Sequence, residues 1–449
     1  MSHPLLTAPI GSALFRLAGP TTAVMALQIF VAMADIWIVG RLGTDALAAI
    51  ALVFPFMALM VNNANGGMGG AVASSLARAL GAGRHDDARA LMLHAMVLAV
   101  GFGAAFSLLA WTVAPTFYRL LGGTGAALER AIAFSDVWYG GAIVVWLNAF
   151  FAAILRGGGD AATPARVLVV ASLTYVPLAG VLALGIDTWH GLGMAGMAIA
   201  SIATTTGSAL VLARLLWSPR SQRRLGFTPQ LAGVALQRRL FGEILGVGIM
   251  GSLGTITSNA TAMIMTGLVG SFGAAALAGY GVGVRLEFML GPLAFGIGTG
   301  LTTLVGVAAG ANDWNRAVRA AWFGSLIAFG LIGSIGWTVA LLPETYSGLF
   351  ASDREVIAAS AGYIVTVAPF YCFFGLGLTL NFASQGAGRM NVPLLAGVAR
   401  MLAATVGGWL AVEKFGLGLN GVFAAMAVGM AVYGCFIAGS LLFRPWRSR

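Results

Sequence analysis

Long apolar runs separated by short polar connections recur along this chain from Leu17 to Phe443. Twelve of them lie near 17–39, 46–76, 90–115, 130–155, 164–186, 191–216, 242–270, 276–308, 318–343, 356–384, 393–412 and 418–443. Each holds about twenty or more mostly apolar residues, enough for an α-helix to cross about 30 Å of hydrocarbon. Lipid offers backbone polar groups no outside partner, so these segments must be helices that satisfy their own hydrogen bonds. The pattern predicts an all-α polytopic membrane protein with twelve transmembrane helices.

The connections repeat too. The loop from Arg156 to Pro164 (RGGGDAATP) aligns with that from Gln385 to Pro393 (QGAGRMNVP) at an offset of 229 positions, and Gly67-Met-Gly69 falls on Gly296-Ile-Gly298 at the same offset. A third pair, the stretch Gly191 to Gly196 (GLGMAG) and the stretch Gly416 to Gly421 (GLGLNG), is offset by 225. Loops on one side map onto loops on that side, which requires an even number of helices per repeat and two six-helix bundles related by a pseudo-twofold along the membrane normal. The expected organisation is an N-terminal bundle at 1–217, an arginine-rich cytoplasmic linker at 218–240 and a C-terminal bundle at 241–449. Two parallel halves suit alternating access with a substrate chamber between them. The third pair also spells G-x-G-x-x-G, but these glycines enter an apolar helix rather than follow a strand, so turns and close helix packing are expected instead of a dinucleotide site.

Composition sharpens this reading. The 449 residues are 59% hydrophobic and 9% charged, with a mean hydropathy of +0.90, against about 25% charged residues in soluble domains. The net charge of +10 does not point to nucleic acid, because the basic residues sit in alternate connections. Arg16, Arg78, Arg84, Arg89, Arg156, Arg166, Arg214, Arg220, Arg223, Arg224, Arg238, Arg239, Arg316 and Arg319 gather on one side, and Arg41, Arg119, Arg130, Arg354 and Lys414 on the other. That bias predicts both termini in the cytoplasm, and a bacterial-type inner membrane is the expected location. Cys372 and Cys435 have no paired spacing, so no disulfide or metal site is expected. No HExxH, GxSxG or P-loop occurs, and His3, His85, His94 and His190 are scattered around loops and helix starts. An enzyme, a cofactor and a bound metal are therefore not expected. With no nucleotide-binding domain, an ion gradient is the expected source of energy.

Candidate chemistry rests on polar groups inside the spans. Asp35 lies toward the outer end of the first, where an aspartate costs up to about 2.5–3.5 kcal/mol to insert at a helix centre; such residues usually line a cavity and handle ions. Thr21, Gln28 and Asp35 are spaced by seven and share one face within about 40°. Burial favours the protonated carboxyl and an approaching cation favours the carboxylate, so proton release and cation uptake at Asp35 are linked. Pro20 supplies a bending point in the same helix. Asn148, Thr174, Thr204, Thr255 and Asn259 are candidate cavity-lining groups, although each alone also fits an interhelical hydrogen bond. Arg285 and Glu287 lie within the eighth span, where they pair with each other, snorkel outward or face the cavity. Trp146, Met263, Met265, Phe288, Met289 and Tyr371 are candidate contacts for a flat lipophilic cation, with core or lipid packing as the competing role.

Twelve helices in two parallel halves, Pro20 and Asp35 in the first, the stretch Ala34 to Gly43 (ADIWIVGRLG) and the glycine loop after the fourth resemble the multidrug and toxic compound extrusion family, MATE. The resemblance covers nearly the whole chain. It implies a cation-gradient-driven exporter of cationic amphiphiles with Asp35 as the coupling site. The fifth-helix Asn-x-x-x-Asp pair of some members falls here on Thr174 and Leu178, and positions matching a seventh-helix acid and a tenth-helix Asp carry the Thr255 to Asn259 region and Phe374. The sparse acids and Arg285 are more similar to the DinF branch than to the NorM branch, which implies proton rather than sodium coupling. The expected function is secondary active multidrug efflux in exchange for protons, with lipophilic cations, protons and membrane lipids as partners. The alternative is a lipid or polysaccharide-precursor flippase, which needs several buried basic residues for a pyrophosphate; within the spans only Arg285 was identified.

Overall fold

A computed structural model of the protein describes residues 4–219, 222, 225, 235–443 and 446. Arg220, Arg223 and Arg224, with most of the linker expected at 218–240, lie outside the described residues. Among the described residues eleven helices are long and apolar enough to cross a membrane, and a bent pair makes twelve spans. In chain order they are α1 (Ile10–Arg41), α2 (Thr44–Gly81), α3 (His85–Leu120), α4 (Gly125–Gly140 continued by Ala142–Gly157), α5 (Ala162–Leu184), α6 (Met194–Leu216), α7 (Arg238–Gly270), α8 (Ala274–Gly310), α9 (Trp314–Leu341), α10 (Arg354–Gly386), α11 (Asn391–Glu413) and α12 (Gly418–Phe443). Among the described residues there is no strand, only an isolated bridge between Ile186 and Trp189. The molecule is an all-α, multi-pass membrane protein.

Three helices depart from regular geometry at residues that account for it. A π-turn at Asn63–Gly67 widens α2; Asn63 and Asn65 donate to the carbonyls of Leu59 and Val61 at 2.9 and 3.0 Å, competing with the backbone ladder. The two parts of α4 meet at a 50° bend at Gly141. A Cβ there would fall within 2.3 Å of the Ile202 side chain, so only glycine lets α4 lie so close to α6. In α10 a 3-10 turn at Ala368–Phe370 holds Pro369, which has no N–H for the helical ladder. Most other boundary differences are extensions, chiefly of α1 to Ile10, but α5 ends at Leu184 and α9 at Leu341, two residues short of the expected 186 and 343. The sixth span, expected from 191, starts instead at Met194 because Gly191 and Gly193 turn through positive φ.

The chain divides into two compact units, Ala23–Gly248 and Met1–Thr22 with Ile249–Arg449. Helices α1 and α7 therefore contribute one part to each. The Ala23–Gly248 unit holds α2 to α6 around Trp146, whose ring stacks on Phe102 at 5.1 Å and meets Phe150 edge-on at 5.5 Å. The other unit packs α9 to α12 around α8, whose most apolar window is 83% buried against 17–67% for the other ten single-helix spans. Tyr363 sits there between the rings of Tyr280 and Phe423 at 5.5 and 5.3 Å. Arg316 is buried at the start of α9 and donates to the carbonyls of Leu5 and Ala8, fixing the chain's first turns to this unit.

The sequence repeats are repeats of contact. A Cβ on Gly157 would lie 2.5 Å from the Ala73 carbonyl oxygen, and one on Gly386 would lie 2.6 Å from that of Thr302. Both members of each pair are related by the offset of 229, so the approach of α4 to α2 recurs as that of α10 to α8. The G-x-G-x-x-G pairs likewise form matching turns, with φ of 66° and 60° at Gly191 and Gly193 and of 60° and 58° at Gly416 and Gly418. Such backbone favours glycine.

Candidate functional site

Side chains of the Ala23–Gly248 unit line an open cavity of about 660 Å³. Its walls come from α1, α2, α4, α5 and α6. Its apolar lining includes Ile36 on α1 and Ile50, Phe54 and Met57 on α2. Hydroxyls and amides come from α1, α4, α5 and α6. Among the described residues no arginine, lysine or histidine lines the cavity, and Asp35 is the one carboxylate that does.

Asp35 is held by a single side-chain bond: the Tyr175 hydroxyl on α5 donates to Oδ1 at 2.7 Å. Seven residues earlier on α1, the Gln28 amide donates to Ser172 Oγ on α5 at 3.1 Å. Ser172 and Tyr175 are one turn apart, so both bonds tie the same faces of α1 and α5. Further round the wall, the Ser208 hydroxyl on α6 donates to Asn148 Oδ1 at 2.8 Å, and the Trp138 indole N–H donates to Ser201 Oγ at 3.3 Å. Thr204 also lines the wall, its hydroxyl shared between the carbonyls of Ala200 and Ser201 at 2.8 and 3.1 Å.

Of the residues singled out from sequence, Asp35, Gln28, Asn148 and Thr204 meet at this cavity. Thr174 does not: it is exposed and its hydroxyl turns back to the Val170 carbonyl at 2.9 Å. Tyr175, the next residue, faces inward in its place. Thr255 and Asn259 lie on the part of α7 in the other unit, where they bond to Gly251 and Thr255 carbonyls of their own helix. Pro20 lies within an α1 that continues to Arg41, two residues before the unit boundary. Trp146, Met265 and Tyr371 are fully buried packing residues, whereas Met263, Phe288 and Met289 are exposed. His94 is no helix-start residue: it is fully buried within α3, its Nε2 accepting the Gln237 N–H at 2.7 Å and Nδ1 lying 2.7 Å from the Ala90 carbonyl.

Arg285 and Glu287 do not pair with each other. Arg285 is exposed with its guanidinium 5.5 Å from the Phe350 ring centre. Glu287 pairs with Arg400 on α11 at 3.4 Å and accepts from the Tyr363 hydroxyl at 3.4 Å. Arg400 thus joins Arg285 as an arginine inside a span, where the sequence reading had recognised Arg285 alone. Its guanidinium rests on the faces of Phe374 and Tyr433, 5.0 and 5.7 Å from the ring centres. Tyr175 carries no local signal, whereas Arg400, within the span expected at 393–412, carries the same signal as Arg285; only the fold brings their partners to them.

A family model described as MatE matches residues 20–181 and 252–410. Curated relatives include a FAD transporter from Shewanella oneidensis, 24% identical over 85% of this chain and 83% of that protein. A probable multidrug resistance protein NorM from Deinococcus radiodurans is 28% identical over 97% of this chain and 96% of that one. Among solved structures, a MOP superfamily transporter from Pyrococcus furiosus, whose reverse polarity of binding pocket suggests a different function, superposes with a TM-score of 0.90 at 23% identity, covering 99% of this chain and 98% of that one. A MATE in complex with MaD3S gives 0.89 at 23% identity, over 99% and 98%. The match of the family model to both halves of the chain shows that it belongs to the MatE family of multidrug and toxic compound extrusion transporters, and that it is a transporter rather than an enzyme.

Proposed function

We propose that this protein is a secondary active multidrug exporter that moves lipophilic cations outward in exchange for protons, with Asp35 as the coupling group. The observation that carries this reading is a lone carboxylate in the wall of a roomy, otherwise neutral cavity. A drug-sized ligand needs a mostly apolar pocket with a few placed polar groups, and about 300–1,000 Å³ is the usual size. A cation entering beside Asp35 gains a counter-charge, while a proton on the same oxygen removes it. The two occupancies exclude each other, as exchange requires. A proton needs only one oxygen, and no second carboxylate lines the cavity to build a metal-ion site.

The absence of a basic lining residue also argues substrate class. The Shewanella relative is a FAD transporter, but a dinucleotide brings a diphosphate, which Asp35 would repel and no arginine or lysine in the cavity would receive. The flippase reading meets the same obstacle, and Arg400 does not lift it because Glu287 already occupies that guanidinium. The arginine bias of alternate loops supports cytoplasmic termini and an inner-membrane location.

Efflux of a fluorescent lipophilic cation from proteoliposomes tests this, first under a pH gradient and then under a sodium gradient, with wild type beside Asp35→Asn. Proton-driven efflux that is lost in the variant supports the reading. Full activity in Asp35→Asn would sink it, and flux driven by sodium alone would replace the proton.

A further inference from the structure

We propose that Tyr175 is the positioning residue of the coupling step: its hydroxyl holds α1 against α5 while Asp35 is charged, and so sets the pH at which Asp35 exchanges its proton. This rests on the assignment of Asp35 as the coupling group.

The geometry is specific. A tyrosine hydroxyl can only donate to a carboxylate, whereas to a carboxylic acid it can donate or accept. The 2.7 Å separation from Oδ1 is an ordinary O–H···O distance and fits that donation. Hydrogen bonds with one ionised partner are roughly twice as strong as neutral ones, so protonating Asp35 weakens this tie between α1 and α5. The neighbouring tie from Gln28 to Ser172 involves only neutral groups and is insensitive to pH. One rung between the two helices is therefore constant and the other follows the charge of Asp35.

Nothing else in the cavity competes for that control. Among its lining residues Asp35 and Tyr175 are the titratable ones. The charged groups elsewhere on the same elements lie outside the lining: Arg16 and Arg41 on α1, Asp45 and Arg78 on α2, Glu129, Arg130, Asp136 and Arg156 on α4, Arg166 on α5 and Arg214 on α6. Arg41 is placed over the Trp37 ring at 5.5 Å, and Arg130 donates to the Leu42 carbonyl at 3.2 Å. A substrate cation approaching Asp35 meets the same tyrosine, whose hydroxyl oxygen and ring face both favour positive charge.

The test is proton release from the purified protein in detergent, followed through the carbonyl stretch of a protonated carboxylic acid by infrared spectroscopy as the pH is raised. Wild type should show a step that Asp35→Asn removes. Tyr175→Phe keeps the ring but deletes the donor, and should move the midpoint of that step to higher pH by about one to two units, the worth of a hydrogen bond to a charged group. Ring-fluorinated tyrosine at position 175, a stronger donor of nearly the same shape, should move it the other way, and the pH profile of proteoliposome efflux should follow both. Unmoved midpoints in both variants, with the step still absent from Asp35→Asn, would show that Tyr175 only packs. A step that survives Asp35→Asn would instead overturn the coupling assignment, and this proposal with it.

Discussion

The Glu287–Arg400 pair allows a sharp energetic prediction, because its two members are supported unequally. Both side chains are 16% exposed and they meet through a single 3.4 Å contact, longer and less directional than a bidentate arginine–carboxylate pair. Remove Glu287 by Glu287→Gln, and Arg400 still rests on the rings of Phe374 and Tyr433. Each ring face is worth about 0.5–1 kcal/mol or somewhat more when desolvated. Remove Arg400 by Arg400→Met, and Glu287 keeps only the long contact from Tyr363 at 3.4 Å. Stranding one member of a buried pair typically costs about 3–5 kcal/mol. The expected order is therefore Arg400→Met worst, at about 3–5 kcal/mol, Glu287→Gln at about 1–2 kcal/mol, and the double variant milder than Arg400→Met alone. Equilibrium unfolding in mixed micelles, read by tryptophan fluorescence, measures all four corners of the cycle. Additive losses within about 0.5 kcal/mol would show that the two residues are not coupled and refute the reasoning.

Two further predictions concern packing. Ala at Gly157 or at Gly386 must displace the carbonyl of Ala73 or Thr302, so each should lower stability by about 1–3 kcal/mol. Ala at Gly267, where a Cβ meets open space, should be neutral or slightly stabilising; thermal unfolding in detergent compares the three, and equal losses at all sites would count against the repeated contact. His94→Leu removes the acceptor of the Gln237 N–H and leaves that donor part-buried without its partner. Hydrogen exchange at Gln237 should quicken by about 5- to 150-fold, corresponding to about 1–3 kcal/mol, and an unchanged rate would mean that the bond does not hold the start of α7.

The fold was legible because lipid restricts the backbone so severely. Once twelve apolar runs were counted, helices followed, and the paired loops from Arg156 and Gln385 revealed the internal repeat whose contacts recur at Gly157 and Gly386. The breaks were not legible. Gly141 is one of 64 glycines, and nothing local distinguishes it from the rest until Ile202 is packed against it.

The site divides along the same line. A charged group inside a span carries a local free-energy cost, so Asp35 and Glu287 stood out at once. What offsets that cost lies elsewhere in the chain: Tyr175 is 140 positions from Asp35, and Arg400 is 113 from Glu287. A tyrosine among apolar residues reads as packing, and an arginine counted with the loop charges reads as topology. On α5, Thr174 and Tyr175 are one position apart, and one position is about 100° of rotation, enough to turn a side chain out of the cavity. Periodicity along a helix fixes faces only relative to one another, and it takes a partner such as the Gln28–Ser172 bond to say which face turns inward. That absolute phase put Tyr175 rather than Thr174 beside Asp35, and it is why the control of the carboxylate had to be found in the fold.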